Sequence, residues 1–225
     1  MDKVGERTLM VMKKANWYNR WLLTFFSRYL KGDILEIGAG IGNFSSLLKK
    51  YGTLTAIDIR KDYIEKYKNK VENYGFGDIE EGNYFFKNRK FDSIVCFNVI
   101  EHIKDDKKSL QNIYKLLNKG GIAVILVPAG KLLYGKYDKL LGHYRRYGVK
   151  EFKKIAKIIG FNIKDVRYIN WLGAIGWLLF IKILKRKEFP ESEVSVFDVF
   201  AKYFLWPEKC IKMPFGLSVL SILEK

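Results

Sequence analysis

Hydrophobic and polar positions follow two periods that take turns along the chain. Short apolar runs of strand length recur at 33–37 (DILEI), 53–59 (TLTAIDI), 74–79 (YGFGDI), 91–97 (FDSIVCF), 122–128 (IAVILVP), 161–168 (FNIKDVRY) and 216–223 (GLSVLSIL). Between them apolar residues return at helical spacing: Phe44, Leu47, Leu48 and Tyr51; Tyr63, Ile64, Tyr67 and Val71; Leu110, Ile113, Tyr114 and Leu117; Phe152, Ile155, Ala156 and Ile159. An earlier stripe, Tyr18, Trp21, Leu22, Phe25 and Tyr29, predicts an N-terminal helical segment over residues 1–31, closed by Lys31-Gly32. Lys119-Gly120-Gly121 is expected to end the helix that carries Leu117. Strands alternating with helices predict a largely parallel sheet with helices on both faces.

Two stretches interrupt the alternation. Residues 129–149 separate a strand from the next helix by about twenty residues, a length that in a compact domain marks a functional or disordered loop. This one is too aromatic to be disordered, so it is expected to lie over the crevice at the strand's carboxyl end as an acceptor-side loop. The second stretch, 170–215, precedes the last strand and is expected to be a helical insertion. Its front, from Trp171, stays apolar for 11 residues before Lys182, too short to span a bilayer. Trp171, Trp177 and Phe180 followed by Lys182, Lys185, Arg186 and Lys187 would suit a helix lying on an anionic membrane surface. Apolar residues nearly all round favour a lid or a homodimer helix over 171–187.

Composition narrows the classes. With 225 residues the chain suits one sizeable domain, taken as residues 1–225. Its net charge of +17 points to anionic partners such as nucleic acid, phospholipid or a phosphorylated molecule, or else to lysines spread over solvated faces. Cys96 and Cys210 stand alone in apolar surroundings and are expected to be buried thiols in a reducing compartment. Residues 1–14 contain no apolar signal core, so a cytoplasmic location, with peripheral membrane contact as an option, is the expectation.

The candidate chemistry begins at Glu36-Ile37-Gly38-Ala39-Gly40-Ile41-Gly42, a glycine turn between a strand and a helix. Glycine at alternate positions admits positive φ and lets a ligand approach the main chain. A pyrophosphate would be repelled by the acid two residues before Gly38, whereas an amino group would be attracted. The stretch resembles motif I of the class I S-adenosylmethionine-dependent methyltransferases, small-molecule type. That resemblance implies that Gly38, Gly40 and Gly42 back the methionine part of S-adenosylmethionine and that Glu36 acts toward its ammonium. Asp58, 20 residues after Gly38, has the spacing of an acid that takes two ribose hydroxyls, with Ile59 beside it. A nicotinamide oxidoreductase would show the same Asp, but not Glu36 or the expected final strand. The resemblance further places Asp78 and Ile79 at the adenine, and Asn98 and Val99 at the cofactor facing the acceptor.

On the acceptor side, His102 and His143 are candidate proton acceptors, and Tyr18, Tyr134, Arg145, Arg146 and Tyr147 are candidate acceptor contacts. Paired arginines suit a carboxylate or phosphate. The same cluster would equally tie the loop down through internal salt bridges, and Tyr18 would equally be core. No metal is expected, since a chain with two histidines offers little for a His-built site. The implied architecture is a Rossmann-like seven-stranded sheet of order 3-2-1-4-5-7-6 with its last strand antiparallel. The implied function is methyl transfer from S-adenosylmethionine, leaving S-adenosylhomocysteine, to oxygen or nitrogen of a small-molecule, sugar or lipid-linked acceptor. RNA methylation and a non-catalytic role as a cofactor-binding assembly factor stay open, though neither a base-flipping Asn-Pro-Pro-Tyr-type tetrad nor an RNA module is found.

Overall fold

The computed structural model describes residues 3–67, 69, 71, 73–179, 198–199 and 201–225. Eight strands form one sheet: β1 (Asp33–Ile37), β2 (Thr53–Asp58), β3 (Asn73–Asp78), β4 (Asn83–Tyr84), β5 (Phe91–Phe97), β6 (Leu117–Pro128), β7 (Asn162–Ile169) and β8 (Ser218–Glu224). Their order is β4-β3-β2-β1-β5-β6-β8-β7. β1, β2, β3, β5 and β6 run parallel, while β8 runs antiparallel to both β6 and β7. This is the expected Rossmann-like order with one addition, the two-residue edge strand β4 set antiparallel to the end of β3. Such a short pairing carries almost no sequence signal, because two residues show no period.

Neighbouring residues of each central strand go to opposite faces, as the pleat requires. Leu35, Ile94, Cys96, Ala123 and Ile125 face one core, with Leu110 and Ile113 of α5 (Asp106–Leu116) and Phe152 and Ala156 of α7 (Val149–Ile159). Ile34, Val95, Ile122 and Val124 face the other, against Trp21 and Leu22 of α2 (Asn16–Leu23) and against Phe26. Each fully buried Leu, Ile or Phe contributes roughly 1.5–3 kcal/mol, so both faces must be covered for the sheet to persist.

Several local expectations shift. The helix after the glycine turn is only α3 (Ser45–Leu48), and α4 (Lys61–Tyr67) follows β2. Gly120 takes φ +73, yet it is not the cap of α5. The chain passes directly from Leu116 into β6 at Leu117, which pairs with Phe91, and residues 118–121 bulge before Ile122 pairs with Ser93. Residues 129–149 are ordered into a 3-10 turn (Lys131–Leu133) and α6 (Lys136–Leu140). Cys96 is buried as expected, but Cys210 is exposed, directly after the 3-10 turn Trp206–Lys209. The front of 171–187 forms α8 (Trp171–Trp177); Phe180, Lys182, Lys185, Arg186 and Lys187 lie outside the described residues. Among the described residues no helix is long and apolar enough to cross a membrane.

Candidate active site

Parallel pairing brings the carboxyl ends of β1, β2, β5 and β6 to one edge of the sheet, where open α/β sheets hold their ligands. At that edge Gly38, Gly40 and Gly42 take φ of +71°, +53° and +77°, a left-handed turn that residues with a Cβ resist. The main-chain N–H groups of Gly38 and Ala39 both donate to the Ile57 carbonyl, at 2.8 and 3.1 Å, which ties the turn to the end of β2. A Cβ on Gly38 would stand 2.2 Å from Cγ2 of Val99, so Val99 packs against this turn as closely as it does only because Gly38 has no side chain.

Two acids flank the turn. Glu36 is 5% exposed and its Oε2 accepts from Ser45 Oγ at 2.5 Å. Burial pushes its carboxyl up to about 7; the Ser45 bond opposes this and the nearby Asp58 charge adds to it. Asp58 is also buried, which raises its carboxyl, while the N–H groups of Arg60 and Gly40 pull it back. Those N–H groups reach Oδ1 and Oδ2 at 2.9 and 2.8 Å. A carboxylate has about four acceptor positions, so further hydrogen bonds to a ligand are open to Asp58.

A helix ahead of the Tyr18–Tyr29 stripe supplies the cover over the turn. α1 (Lys3–Lys13) crosses it: Leu9 packs over Gly40, the Leu9 carbonyl accepts from Asn43 Nδ2 at 3.0 Å, and Glu6 meets Lys66 at 3.4 Å. The same helix reaches the acceptor-side loop, where Thr8 Oγ1 and Tyr137 Oη are 3.3 Å apart. The other expected cofactor positions differ in character. Ile59 is exposed beside Asp58, and Asn98 is exposed with φ +52. Asp78 is half-buried and its Oδ1 accepts from the N–H groups of Glu80 and Glu81. Ile79 is a core residue packed with Ile57, so it presents little surface to a ligand.

The acceptor-side loop centres on Asp138, which is fully buried. Its Oδ1 accepts from His143 Nδ1 at 3.1 Å and from Arg146 Nε at 2.7 Å, and its Oδ2 accepts from the Gly135 N–H at 2.9 Å. Burial alone would raise this carboxyl, but the bonds from His143 and Arg146 hold it below its ordinary value. An ionised carboxylate only accepts, so Nδ1 of His143 carries a proton, and in the neutral ring Nε2 carries the lone pair. Arg146 also donates to the Ala129 carbonyl and lies 4.4 Å from the Trp177 ring centre. Tyr134 Oη donates to the His143 carbonyl at 2.8 Å.

These contacts correct three of the expected acceptor residues. Arg146 and Tyr147 are buried and engaged inside the fold, Tyr147 Oη with Asp106 at 2.9 Å. Tyr18 is core, packed on Trp21 at 5.4 Å between ring centres. Arg145, half-buried, is held by Asp106 at 2.9 Å and by the Lys104 carbonyl at 2.7 Å. The structure brings His102 and His143 together, with ring centres 4.6 Å apart, and sets Glu101 beside them. Glu101 was missed by sequence reasoning; its place next to His102 after a buried strand was the available signal.

With this geometry in view, the comparisons fix the class. The chain belongs to the methyltransferase-domain family, whose model matches residues 14–166. That family uses S-adenosylmethionine. A ubiquinone biosynthesis O-methyltransferase of Coxiella burnetii is 34% identical over 101 residues, covering 41% of this chain and 42% of the relative. The juvenile hormone acid O-methyltransferase of Bombyx mori is 27% identical over 167 residues, covering 60% and 59%. This chain thus spans less than two thirds of the length of either relative. Among solved structures, an S-adenosylmethionine-dependent methyltransferase of Archaeoglobus fulgidus superposes with TM-score 0.61 at 17% identity, covering 92% of both chains. Phosphoethanolamine N-methyltransferase 2 of Haemonchus contortus, in complex with S-adenosyl-L-methionine, superposes with TM-score 0.60 at 21% identity over 92% of this chain and 52% of that one. Both share its fold.

Proposed function

We propose that this protein transfers the sulfonium methyl of S-adenosylmethionine to an oxygen of a small acceptor. The observation that carries the reading is the left-handed turn of Gly38, Gly40 and Gly42 between the buried acids Glu36 and Asp58, at the carboxyl edge of a parallel sheet. The donor set fits the cofactor: main chain without Cβ for its amino-acid part, Glu36 for its ammonium, and open acceptor positions on Asp58 for ribose hydroxyls. When bound, it supplies a methyl group on a good leaving sulfur, so holding an acceptor in line supplies most of the rate. Val99 packs against Gly38, and the Asn98 N–H donates to the Leu126 carbonyl of β6, the strand that leads into the loop of 129–149. His143, oriented by Asp138, is the residue best held to receive a proton from an acceptor hydroxyl. Oxygen is preferred over nitrogen because both sequence relatives named above are O-methyltransferases.

A lipid-linked acceptor has its own support. Tyr203, Phe204, Trp206 and Ile211 are exposed near Lys202, Lys209 and Lys212, a mixture of aromatic and basic residues that suits an anionic lipid surface. Calorimetric titration of wild type and Asp58→Ala with S-adenosylmethionine and with NAD tests the cofactor assignment. Binding of S-adenosylmethionine alone, lost in the variant, is the expected result; binding of NAD, or of neither, overturns it. Co-sedimentation with phosphatidylglycerol vesicles tests the surface, with Trp206→Ala expected to weaken it.

A further inference from the structure

The chain has two histidines, 41 positions apart in sequence, and the fold sets them against each other. Glu101 lies beside them, wholly buried, and neither of its oxygens makes a hydrogen bond of normal geometry among the described residues. One ligand atom from each of Glu101, His102 and His143 lies within 4.8 Å of the others. An orphaned buried carboxyl costs free energy that a fold does not retain without a partner for it. Asp138 adds an independent sign. By fixing the His143 proton on Nδ1 it presents Nε2 as a lone pair, the arrangement in which a second carboxylate orients a metal-bound imidazole.

We propose that Glu101, His102 and His143 form a binding site for one divalent transition cation of the zinc or cobalt type, on the acceptor side of the glycine turn. Two imidazoles and one carboxylate are the donors such ions select, whereas magnesium and calcium prefer oxygen alone. Ligand atoms around a first-row ion stand about 3–3.4 Å apart, so the most widely separated pair would draw together by up to about 1.4–1.8 Å. His102 is exposed and gives the ion a path in. Three protein ligands leave a position open.

What that position would do rests on the methyl-transfer reading above. Val99, which overhangs Gly38, is two residues from Glu101, so a single short segment joins the turn to the cation site. With the cation bound, His143 would serve as its ligand and no longer as the proton acceptor, so an acceptor hydroxyl in the open position would release its proton to solvent water. Its oxygen then forms the new O–CH3 bond as the S–CH3 bond breaks, and the sulfur keeps the bonding pair.

The test is titration of CoCl2, ZnCl2 and MgCl2 into the metal-stripped full-length protein, followed by calorimetry and by the visible absorption of bound cobalt. One Co2+ or Zn2+ per chain is expected, with Mg2+ failing to compete. His102→Ala and His143→Ala should each weaken binding by at least about 100-fold, and Asp138→Asn, acting through His143, by about 10- to 100-fold. S-adenosylmethionine affinity, read on the same samples, keeps the two claims apart. Wild type that binds no cobalt or zinc, or binds them no better than both histidine variants, overturns the cation site even where S-adenosylmethionine binds. Cobalt binding lost in the histidine variants upholds the site even where S-adenosylmethionine fails to bind.

Discussion

His143 Nδ1 stands 3.1 Å from Asp138 Oδ1, the same oxygen that Arg146 Nε reaches at 2.7 Å. One buried carboxylate therefore orients the candidate base and compensates a buried guanidinium. Asp138→Asn leaves the Arg146 charge without its counterion in the interior. Breaking such a pair costs about 3–5 kcal/mol, and at 2–4 °C per kcal/mol for a domain this size the melting temperature should fall by roughly 6–20 °C. Adding Arg146→Met removes the stranded charge, so the double variant should melt above Asp138→Asn. Thermal denaturation of the singles and the double, read as a double-mutant cycle, checks this. Simple additivity would show that the two residues are not coupled.

Arg146 also decides how the loop of 129–149 was legible. Its paired arginines, His143 and Tyr147 announced chemistry, but sequence alone left open whether the arginines face an acceptor or each other's neighbours. The answer depends on Asp138 and Asp106, 8 and 40 residues before Arg146, and on Trp177 beyond it. Contacts of that range leave no period to read. By contrast the glycine turn and the strand runs are local: Gly38, Gly40 and Gly42 take the positive φ that their spacing suggested, and the buried Glu36 and Asp58 flank them. That α1 rather than the Tyr18–Tyr29 stripe covers the turn, and that the Glu101 carboxyl lacks a hydrogen-bond partner among the described residues, depend on residues brought near by the fold.

Gly38 and Val99 give a sharper test of the turn. Gly38→Ala forces a Cβ to 2.2 Å from Val99 Cγ2 and places it at φ +71. The conformational part alone costs about 1 kcal/mol, and the contact requires either Val99 or the turn to move. The variant should lose S-adenosylmethionine binding and melt several degrees lower. Adding Val99→Ala relieves the contact but not the φ, so it should restore part of the melting temperature. Full restoration would mean that the backbone conformation carries no cost there.

Trp177 should act as the clasp between the insertion and the acceptor loop. Its ring lies over Arg146 and meets Tyr137 edge-on at 5.3 Å, and its Nε1 donates to the Leu133 carbonyl at 3.3 Å. Trp177→Ala removes all three, a loss of about 2 kcal/mol. Limited proteolysis should then cut within 129–149 faster than in wild type while β1 to β3 stay protected. Unchanged cleavage would detach α8 from any role in holding the loop.

Glu36 links cofactor binding to pH. Its carboxyl is raised from 4.5 to about 7, so between those values the folded chain keeps a proton that the unfolded chain has released. Stability contributed by this group is therefore fully present below pH 4.5, falls as pH rises, and levels off above pH 7. The difference is about 3 kcal/mol at most, because each tenfold change in proton affinity between the folded and unfolded chain is worth about 1.4 kcal/mol. Denaturant unfolding at pH 5 and pH 8 should show this drop in wild type, and a smaller one in Glu36→Gln. An ammonium placed beside Glu36 favours the carboxylate and reverses the effect of burial. Binding of S-adenosylmethionine near pH 6.5 should consequently release a fraction of a proton from Glu36, visible as a binding heat that changes with the ionisation enthalpy of the buffer. In Glu36→Gln that dependence should shrink. If wild type and variant show the same dependence, the proton comes from elsewhere and Glu36 does not face the ligand's charge.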